Sequence, residues 1–381
     1  FDRLPFIKDE KLKSAVTEAL KQDANYKEML ERSCVPLQDE KAYLGENTAN
    51  LLFLSSTKIE KYNNCAFSYL LNYVLKLKDN RVNSFSSLDV GNYLHKMLED
   101  YMTKRMESGE FKGASPAETK LELDFLSDSY VKSVMQSPPK RVLFLIERLK
   151  NMLEYVCLSL NEEFAHSRFR PCGLEVQIGH GGLVPARTFT TPKGRKLYTL
   201  GKIDRVDDYK ENGKRYVRVV DYKSSDKGFS ADKVKEGENI QMLSYLYAIT
   251  ENDSSAVPAA VLYRPLVLPK DGENPQSTLR QNGIVLDDPE LISKMDDSDG
   301  TSFLPVTLKK DGEISKQGIA NAVSDEGFDK LNEEIRELIC EVGEKICDGD
   351  MSVKPLRKKE TDCKHCPYGE VCRQKKPSKT Y

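Results

Sequence analysis

The 381-residue sequence predicts an α/β fold in which a mixed sheet is flanked by helices. Three patterns support this prediction. Apolar residues recur at helical spacing over about residues 56–168. From residue 172 the segments are short and rich in Val, Ile and Tyr, which is typical of strands. A helical segment then separates the last two strands, which predicts a βαβ unit with a right-handed crossover.

Bulk composition indicates a globular protein of a reducing compartment. Hydrophobic residues make up 39% of the chain, charged residues 31%, and the formal net charge is −2. The surface as a whole is therefore not expected to attract nucleic acid, although basic stretches such as "RQKKPSK" could do so locally. No apolar run reaches membrane-spanning length. Nine cysteines, without a secretory signal, argue against a disulfide framework and for a cytoplasmic location.

The first part of the chain reads as helical. Residues 1–50 contain charged helices with little core, and we expect them to be an appendage of a preceding region. The chain starts with Phe1 rather than methionine, so we expect it to be a piece of a longer protein. The second predicted domain covers residues 51–381. Thr57 and Glu60 have the spacing of a capping box, which predicts a helix start at Thr57.

An α/β core is predicted for about residues 172–265. Two strands, "LYTLGKIDRVDDY" and "KRYVRVVDYKS", are joined by "KENGK", whose Asn-Gly pair is a strong hairpin signal. Residues 265–325 are rich in Asp, Gly, Pro and Ser, which predicts loops with short elements. A final helix and a tail with cysteines occupy about residues 325–375.

A pair of opposite charges ends the second strand of the hairpin. Side chains alternate between faces along a strand, so Val217, Val219, Asp221 and Lys223 share one face. The apolar face therefore ends in an acid and a base. The pair could be a solvated salt bridge. It could also face a ligand, because ligands bind at the carboxyl ends of strands in open α/β sheets.

A second carboxylate lies on the other arm of the hairpin, at Asp204 in "GKIDRVD". Neighbouring strands are about 5 Å apart, so Asp204 and Asp221 can converge on one cation if the register agrees. Two carboxylates suit Mg²⁺ or Mn²⁺. Lys223 beside them could orient a water molecule or stabilise charge on a phosphate. These groups suit metal-assisted hydrolysis of a phosphodiester.

Two helices contain further candidates. His95 and Glu99 are four residues apart, and so are Gln241 and Tyr245. Each pair therefore shares a helix face. Neither pair indicates a site when taken alone, because a single histidine on a helix is more often structural than catalytic.

The tail contains three cysteines with the spacing C-x2-C-x5-C: Cys363, Cys366 and Cys372. A tetrahedral metal or cluster needs a fourth ligand, for which Cys347 in the last helix and Cys65 far upstream are candidates. Structural zinc sites usually show two paired knuckles. One triplet with one distant cysteine fits an iron–sulfur cluster better than zinc, because such clusters take four thiolates.

Four blocks of the sequence together resemble the RecB-type branch of the PD-(D/E)xK nuclease superfamily. In chain order they are "GNYLHKMLE", "GKIDRVD", "VVDYKS" and "QMLSYLYAI". The resemblance implies a restriction-endonuclease-like core with a helical insertion. It implies that His95, Asp204 and Asp221 are metal ligands and that Lys223 is the catalytic lysine.

The same resemblance assigns roles to residues around the implied site. Gln241 and Tyr245 match the helix motif that braces the site and contacts DNA. Glu175, on the first strand of the sheet, is expected to support the ligands rather than to take a direct catalytic part. Glu99 is expected to be a neighbour of the site.

The cysteine layout resembles that of AddB-type nuclease subunits. In that family one cysteine precedes the nuclease blocks and a C-x2-C-x5-C follows them. The resemblance implies a [4Fe–4S] cluster held by Cys65, Cys363, Cys366 and Cys372, which would join the two ends of the nuclease domain. The family often has proline after its first cysteine, and this chain has Ala66 there.

The resemblance covers about residues 55–375 and implies a nuclease of an AddAB-type helicase–nuclease. Such a protein would cut single-stranded DNA as an exonuclease during double-strand break repair by recombination. Its partner would be an AddA-type helicase subunit. No G-x-x-x-x-G-K-[ST] motif is present, so no ATPase is expected in this chain. Two alternatives stay open: a free-standing exonuclease of the CRISPR-associated type, and an inactive iron–sulfur DNA-binding scaffold.

Overall fold

In the computed structural model the described residues are 51–77, 87–109, 114–224, 229, 232–269, 278–353, 363 and 366–372, together with Lys11, Ser14 and Glu18, which are helical. The predicted appendage, residues 1–50, otherwise lies outside them. The described chain divides into two compact units. The larger, called here the α/β unit, contains residues 51–60 and 87–347. The smaller, called the cysteine unit, contains residues 61–77 and the described residues from 348 onwards.

Helices and strands account for most of the described chain. The helices are α1 (Ser56–Asn64), α2 (Ala66–Tyr69), α3 (Ser87–Ser108), α4 (Pro116–Val134), α5 (Lys140–Ala165), α6 (Asp232–Lys235), α7 (Ile240–Thr250), α8 (Pro289–Met295), α9 (Asp325–Cys347) and α10 (Gly369–Cys372). The strands are β1 (Leu51–Ser55), β2 (Arg170–Ile178), β3 (Arg187–Thr190), β4 (Lys196–Glu211), β5 (Lys214–Lys223), β6 (Ala256–Pro265), β7 (Asn282–Leu286) and β8 (Ala322–Val323). Among the described residues, no helix has the length and apolar character needed to cross a membrane.

The sheet is built around β4. Its strand order is β1-β4-β5-β6-β7-β8, and β2 and β3 also pair with β4. Because β4 is 16 residues long, it has two successive sets of neighbours. β1 and β3 flank its first half, and β2 and β5 flank its second half. β5 and β6 are parallel and α7 lies between them in the chain, as the predicted βαβ unit requires. The predicted α/β fold with a mixed sheet is confirmed.

The predicted hairpin between β4 and β5 is also confirmed. The two strands are antiparallel down to the pair Glu211–Lys214. Asn212 and Gly213 form the turn, with φ of 51° and 77°. Positive φ at both central residues matches the right-handed twist of the strands and favours Asn-Gly, which explains why this signal could be read from the sequence.

The predicted capping box of α1 is wrong. The helix begins at Ser56, one residue before Thr57, and the hydroxyl of Ser55 accepts a hydrogen bond from the backbone N–H of Lys58 (3.3 Å). Ser and Thr cap helices by the same mechanism, so three consecutive hydroxyl residues give three candidate caps. Because β1 ends at Ser55, that residue becomes the cap of the helix.

The helices α3, α4 and α5 form a layer with its own apolar core. Members of this core on α3 and α5 include Tyr93, Met97, Tyr101, Leu153, Val156 and Leu160. Tyr222 of β5 belongs to the same core, so the layer packs on the sheet at the end of the hairpin. This contact brings α3 to the carboxyl end of β5, where the ring of His95 lies 6.3 Å from that of Tyr222.

A cluster of five buried charges joins α5 to the sheet. The carboxylate of Glu163 accepts hydrogen bonds from Arg205 (3.0 Å), Arg218 (3.1 Å) and Arg264 (2.7 Å). Asp207 pairs with Arg218 (2.7 Å) and Arg205 (3.1 Å). None of these side chains is more than 1% exposed. Four elements, α5, β4, β5 and β6, are therefore held in one relative position. We call these five residues the buried charge cluster.

Candidate active site

The two faces of β4 differ sharply in burial. Between residues 196 and 205 the odd positions 197, 199, 203 and 205 are buried, whereas the even positions are partly or fully exposed. Asp204 therefore lies on the open face and Arg205 on the buried one. The alternation of side chains along a strand puts the candidate site and the buried charge cluster on opposite faces.

Three side chains, from α3, β2 and β4, meet at this open face closely enough to bind one ion. His95 of α3 has its Nδ1 3.4 Å from Asp204 Oδ1 and 3.6 Å from Glu175 Oε1. One ligand atom from each residue lies within 4.8 Å of the others. In the part of the chain that the structure describes, this is the one group of three or more His, Cys, Asp or Glu side chains that meets this distance. We call it the ligand group.

Glu175 reaches the ligand group through an unusual backbone conformation. Its neighbours Leu174 and Val176 pair with Arg205 and Ile203, so Glu175 lies opposite Asp204. The pairing of β2 is irregular between Pro171 and Gly173, and Glu175 has a φ of 48°. Left-handed φ is unfavourable for a residue with a Cβ and costs about 1–2 kcal/mol. Such strain is found mostly at functional sites.

Glu175, expected to support the ligands, lies within the ligand group, and its part in holding an ion stays a prediction. The ammonium of Lys202, also on the open face, contacts the other oxygen of Glu175. Glu99, the other acid on the His95 helix face, forms an ion pair with Lys96 instead (3.0 Å). The irregular pairing of β2 precedes Glu175 by two residues, and sequence periodicity alone does not reveal such an irregularity.

Asp221 and Lys223 form an ion pair at the end of β5. Lys223 Nζ is 2.5 Å from Asp221 Oδ2, and Asp221 is 3% exposed. Burial, and after it the nearby charge of Asp204, raises the pKa of Asp221 to about 6 against the opposing effect of Lys223. Asp221 thus lies near the ligand group, but it is not among the residues whose ligand atoms all lie within 4.8 Å of one another. The oxygen Oδ2 of Asp204 accepts a hydrogen bond from the backbone N–H of Tyr222 (2.9 Å), which links the two strands at this point.

The ligand group has an excess of negative charge. Hydrogen bonds to Asp204 and Glu175 raise the pKa of His95 to about 10, against the effect of burial. His95 is therefore a cation here, held between two carboxylates. To bind a metal ion it has to lose that proton, since only neutral imidazole is a ligand.

Gln241 and Tyr245 of α7 lie beside the site and contact each other. Gln241 Nε2 donates to the hydroxyl of Tyr245 (3.4 Å), and burial raises the pKa of Tyr245. The ring of Tyr245 packs directly on the backbone of Gly201. A Cβ at that position would lie 2.2 Å from Cε1 of the ring. The glycine of "GKID" is therefore required for α7 to approach the strand that carries Asp204.

The cysteines of the sequence motif lie in the cysteine unit. Burial raises the pKa of the Cys65 thiol, and the nearby thiols of Cys372 and Cys366 raise it further. The charges of these two thiols therefore act on Cys65, although the three sulfurs do not all lie within 4.8 Å of one another. In the tail, the backbone N–H of Cys366 donates to the carbonyl of Cys363 (3.4 Å), which begins a turn toward α10.

Hydrogen bonds join the tail to the segment around Cys65 within this unit. The hydroxyl of Tyr368 donates to Asn72 Oδ1 (3.1 Å). Tyr62 donates to the carbonyl of Asp350 (2.6 Å), and the N–H of Phe67 donates to the carbonyl of Ser352 (3.1 Å). Residues 62–72 are thus linked to residues 350–368 by direct contacts beside the cysteines.

Comparison with known proteins agrees with this architecture. A sequence profile of the PD-(D/E)XK nuclease superfamily matches residues 54–373. The chain is 32% identical over 360 residues to an ATP-dependent helicase/deoxyribonuclease subunit of Clostridium acetobutylicum, covering 87% of this chain and 31% of that protein. It is 30% identical to the protein of the same name in Clostridioides difficile, covering 84% and 30%. The chain spans about a third of the length of these relatives. It belongs to the PD-(D/E)XK nuclease superfamily.

Proposed function

We propose that the chain is a metal-dependent deoxyribonuclease that hydrolyses phosphodiester bonds. One observation carries this proposal: an imidazole and three carboxylates from four elements gather beside a lysine on one face of the sheet. The imidazole is that of His95, and the carboxylates are those of Glu175, Asp204 and Asp221. Oxygen ligands with one imidazole suit Mg²⁺ or Mn²⁺. We propose His95, Asp204 and Asp221 as ligands and Glu175 as a further candidate.

The charge of the site fits a divalent cation. Asp221 has a raised pKa because its carboxylate is buried close to Asp204, and His95 is held as a cation between carboxylates. Asp204 and Asp221 also repel each other, and a divalent cation bound between them would relieve that repulsion. A divalent cation there would supply charge neutralisation for the phosphate and activation of water.

The residues of the chain would orient the substrate around that ion. The ammonium of Lys223, held by Asp221, would stabilise negative charge that develops on the phosphate. Tyr245 and Gln241 line the same region from α7, where an amide and a hydroxyl can hydrogen-bond to the DNA backbone. Because Asp221 and Lys223 lie on one strand, their separation is fixed by the backbone.

The relatives suggest a setting for this activity. Their names describe a subunit of an ATP-dependent helicase/deoxyribonuclease, and this chain aligns with about a third of their length. We propose that the chain is the nuclease part of an AddAB-type helicase–nuclease in double-strand break repair. Its substrate would be single-stranded DNA, cut exonucleolytically, and its partner an AddA-type helicase subunit.

The cysteine unit would hold a [4Fe–4S] cluster through Cys65, Cys363, Cys366 and Cys372. The proposal is supported by the hydrogen bonds that join the tail to the segment around Cys65, about 300 residues earlier in the sequence, and by the effect of the Cys366 and Cys372 thiols on the pKa of Cys65. A cluster there would fix the contacts between the tail and the segment around Cys65. Iron and acid-labile sulfide should fall in Cys65→Ser, whereas the control Cys172→Ser, an exposed cysteine of the α/β unit, should keep both. Equal iron content in the two variants would contradict the cluster assignment.

The nuclease proposal is tested by digestion of end-labelled linear single-stranded DNA with Mg²⁺, with Mn²⁺ and with chelator. Asp221→Asn and Lys223→Ala should abolish cleavage. The matched controls Asp311→Asn and Lys210→Ala change exposed residues of the α/β unit and should cut like the wild type. Cleavage that survives both site variants would refute the assigned site. No cleavage by the folded wild-type chain with either metal would favour an inactive DNA-binding scaffold.

A further inference from the structure

Three aromatic rings form an exposed stack at the start of β4. The ring of Phe53, on β1, stacks on Tyr198 with a centroid distance of 5.3 Å and on His180 with a distance of 5.8 Å. The interplanar angle is 29° in both pairs. Phe53 keeps 41% of its surface exposed, and His180 is exposed too. We call these three residues the aromatic platform.

His180 reaches the stack from a tight turn with an unfavourable backbone. The N–H of Gly182 donates to the carbonyl of Gly179 (2.8 Å), which closes the turn around His180. Gly179 and Gly181 have positive φ, as glycine readily does, but His180 between them also has a φ of 50°. A residue with a side chain rarely adopts this conformation, and strain of this kind is concentrated at ligand sites.

The aromatic platform lies on the same sheet face as the candidate active site. Tyr198, Lys202 and Asp204 are all even-numbered residues of the open face of β4. Tyr198 and Asp204 are six residues apart, which is about 20 Å along an extended strand. Lys202 and, opposite it on β2, Gln177 are exposed between the two. Along this face the aromatic platform comes first, Lys202 and Gln177 lie next, and the ligand group follows.

We propose that the aromatic platform is a base-stacking subsite for the single DNA strand whose phosphate is cut at the ligand group. This inference rests on the proposed nuclease function and extends it. Every base has a flat face that can stack on an aromatic ring, so the subsite would hold a strand without regard to sequence. Its bases must be unpaired, because those of a duplex already stack on each other. Lys196, exposed on the same face, offers positive charge to the phosphates.

The first test is binding of a labelled single-stranded oligonucleotide to the 381-residue chain in chelator, where no cleavage occurs. Phe53→Leu and Tyr198→Leu keep an apolar side chain but lose the flat ring. Each should weaken binding at least about fivefold, the low end of what stacking of one base contributes. The control Phe125→Leu removes a phenylalanine that is 72% exposed on α4, away from β4, and should bind like the wild type.

The second test replaces single bases of the strand by abasic residues, which keep the phosphates and remove the stacking face. In the wild type one or two positions, several nucleotides from the cut, should lose affinity. In Phe53→Leu the same replacements should have no further effect, because the stacking partner is already gone. Additive losses would overturn the proposal, and so would equal binding of Phe53→Leu and Phe125→Leu, or no binding by the wild type.

The outcome is separable from that of the nuclease proposal. Cleavage with Mg²⁺ or Mn²⁺ is measured on its own, and binding is measured without metal. A wild type that cuts DNA while Phe53→Leu binds normally would overturn the subsite alone. A wild type that binds through Phe53 but does not cut would keep the subsite and remove the catalytic proposal.

Discussion

The buried charge cluster should be a major contributor to stability, and Glu163→Gln tests this directly. The substitution keeps the size of the side chain and removes its charge. Glu163 is 1% exposed and is the shared acceptor of Arg205, Arg218 and Arg264, none of which is exposed. In the wild type three cations face two carboxylates, and in the variant they face Asp207 alone.

The magnitude follows from the burial and the pKa of Glu163. Burial alone would raise its pKa, but Arg205, Arg264 and Arg218 lower it from 4.5 to about 2. A difference of roughly 2.5 units corresponds to about 3 kcal/mol of stability, in agreement with the roughly 3–5 kcal/mol expected when one partner of a buried ion pair is removed. The folded pKa is below the unfolded one, so this stability is fully present above about pH 4.5. It is lost as the pH falls toward 2.

Urea denaturation followed by far-UV circular dichroism measures the free energy of unfolding of each variant. Near neutral pH, Glu163→Gln should be about 3 kcal/mol less stable than the wild type, and the gap should narrow as the pH falls from about 5 to about 2. The control Glu162→Gln changes the exposed neighbouring residue and should stay within about 0.5 kcal/mol of the wild type. A Glu163→Gln variant within about 1 kcal/mol of the wild type, or a gap independent of pH, would refute this reasoning.

Three further predictions concern the candidate active site. Gly201→Ala should lower the free energy of unfolding by about 1–3 kcal/mol and reduce DNA cleavage, because the added Cβ displaces the buried ring of Tyr245. Urea denaturation measures the first effect and the cleavage assay the second. A variant with unchanged stability and cleavage would contradict the contact. Calorimetric titration with Mn²⁺ between about pH 7 and pH 9, above the pKa of Asp221 and below that of His95, should show an apparent affinity that rises by up to about tenfold per pH unit, because binding displaces the proton of His95. His95→Gln should remove this dependence, and a dependence that persists in the variant would contradict it. Asp221→Asn should raise the melting temperature of the protein at about pH 8 in the presence of a metal chelator. The folded pKa of Asp221 is near 6, above its usual 3.8, so its ionised form destabilises the folded protein at that pH. A lower melting temperature of the variant would count against this account.

The sequence predicted those features that depend on local rules. The hairpin follows from Asn212-Gly213, whose conformation favours those two residue types. The ion pair of Asp221 and Lys223 follows from the period of a strand. Which roles these residues take in catalysis stays a prediction until the cleavage assays are made.

Features that depend on register and on non-local packing were missed. The position of Glu175 in the ligand group requires the irregular pairing of β2 and a positive φ, and no residue type in "CGLEVQIG" signals either. The buried charge cluster was missed for a different reason. Arg205 and Arg218 read as polar positions of half-exposed strands, and their burial becomes evident only when Glu163 arrives from a helix about 40 residues earlier in the chain.

The two charged faces of β4 make this strand intolerant of changes in length. Deleting or inserting one residue between Lys202 and Asp204 would turn every later side chain to the opposite side of the sheet. Arg205 would lose its buried carboxylates, and Asp204 would enter the core without a partner. Single substitutions leave the other positions in place, whereas an insertion would disable the site and the core together. Length variation among related chains should therefore be confined to the Asn212-Gly213 turn and the loops, and β4 should keep a constant number of residues.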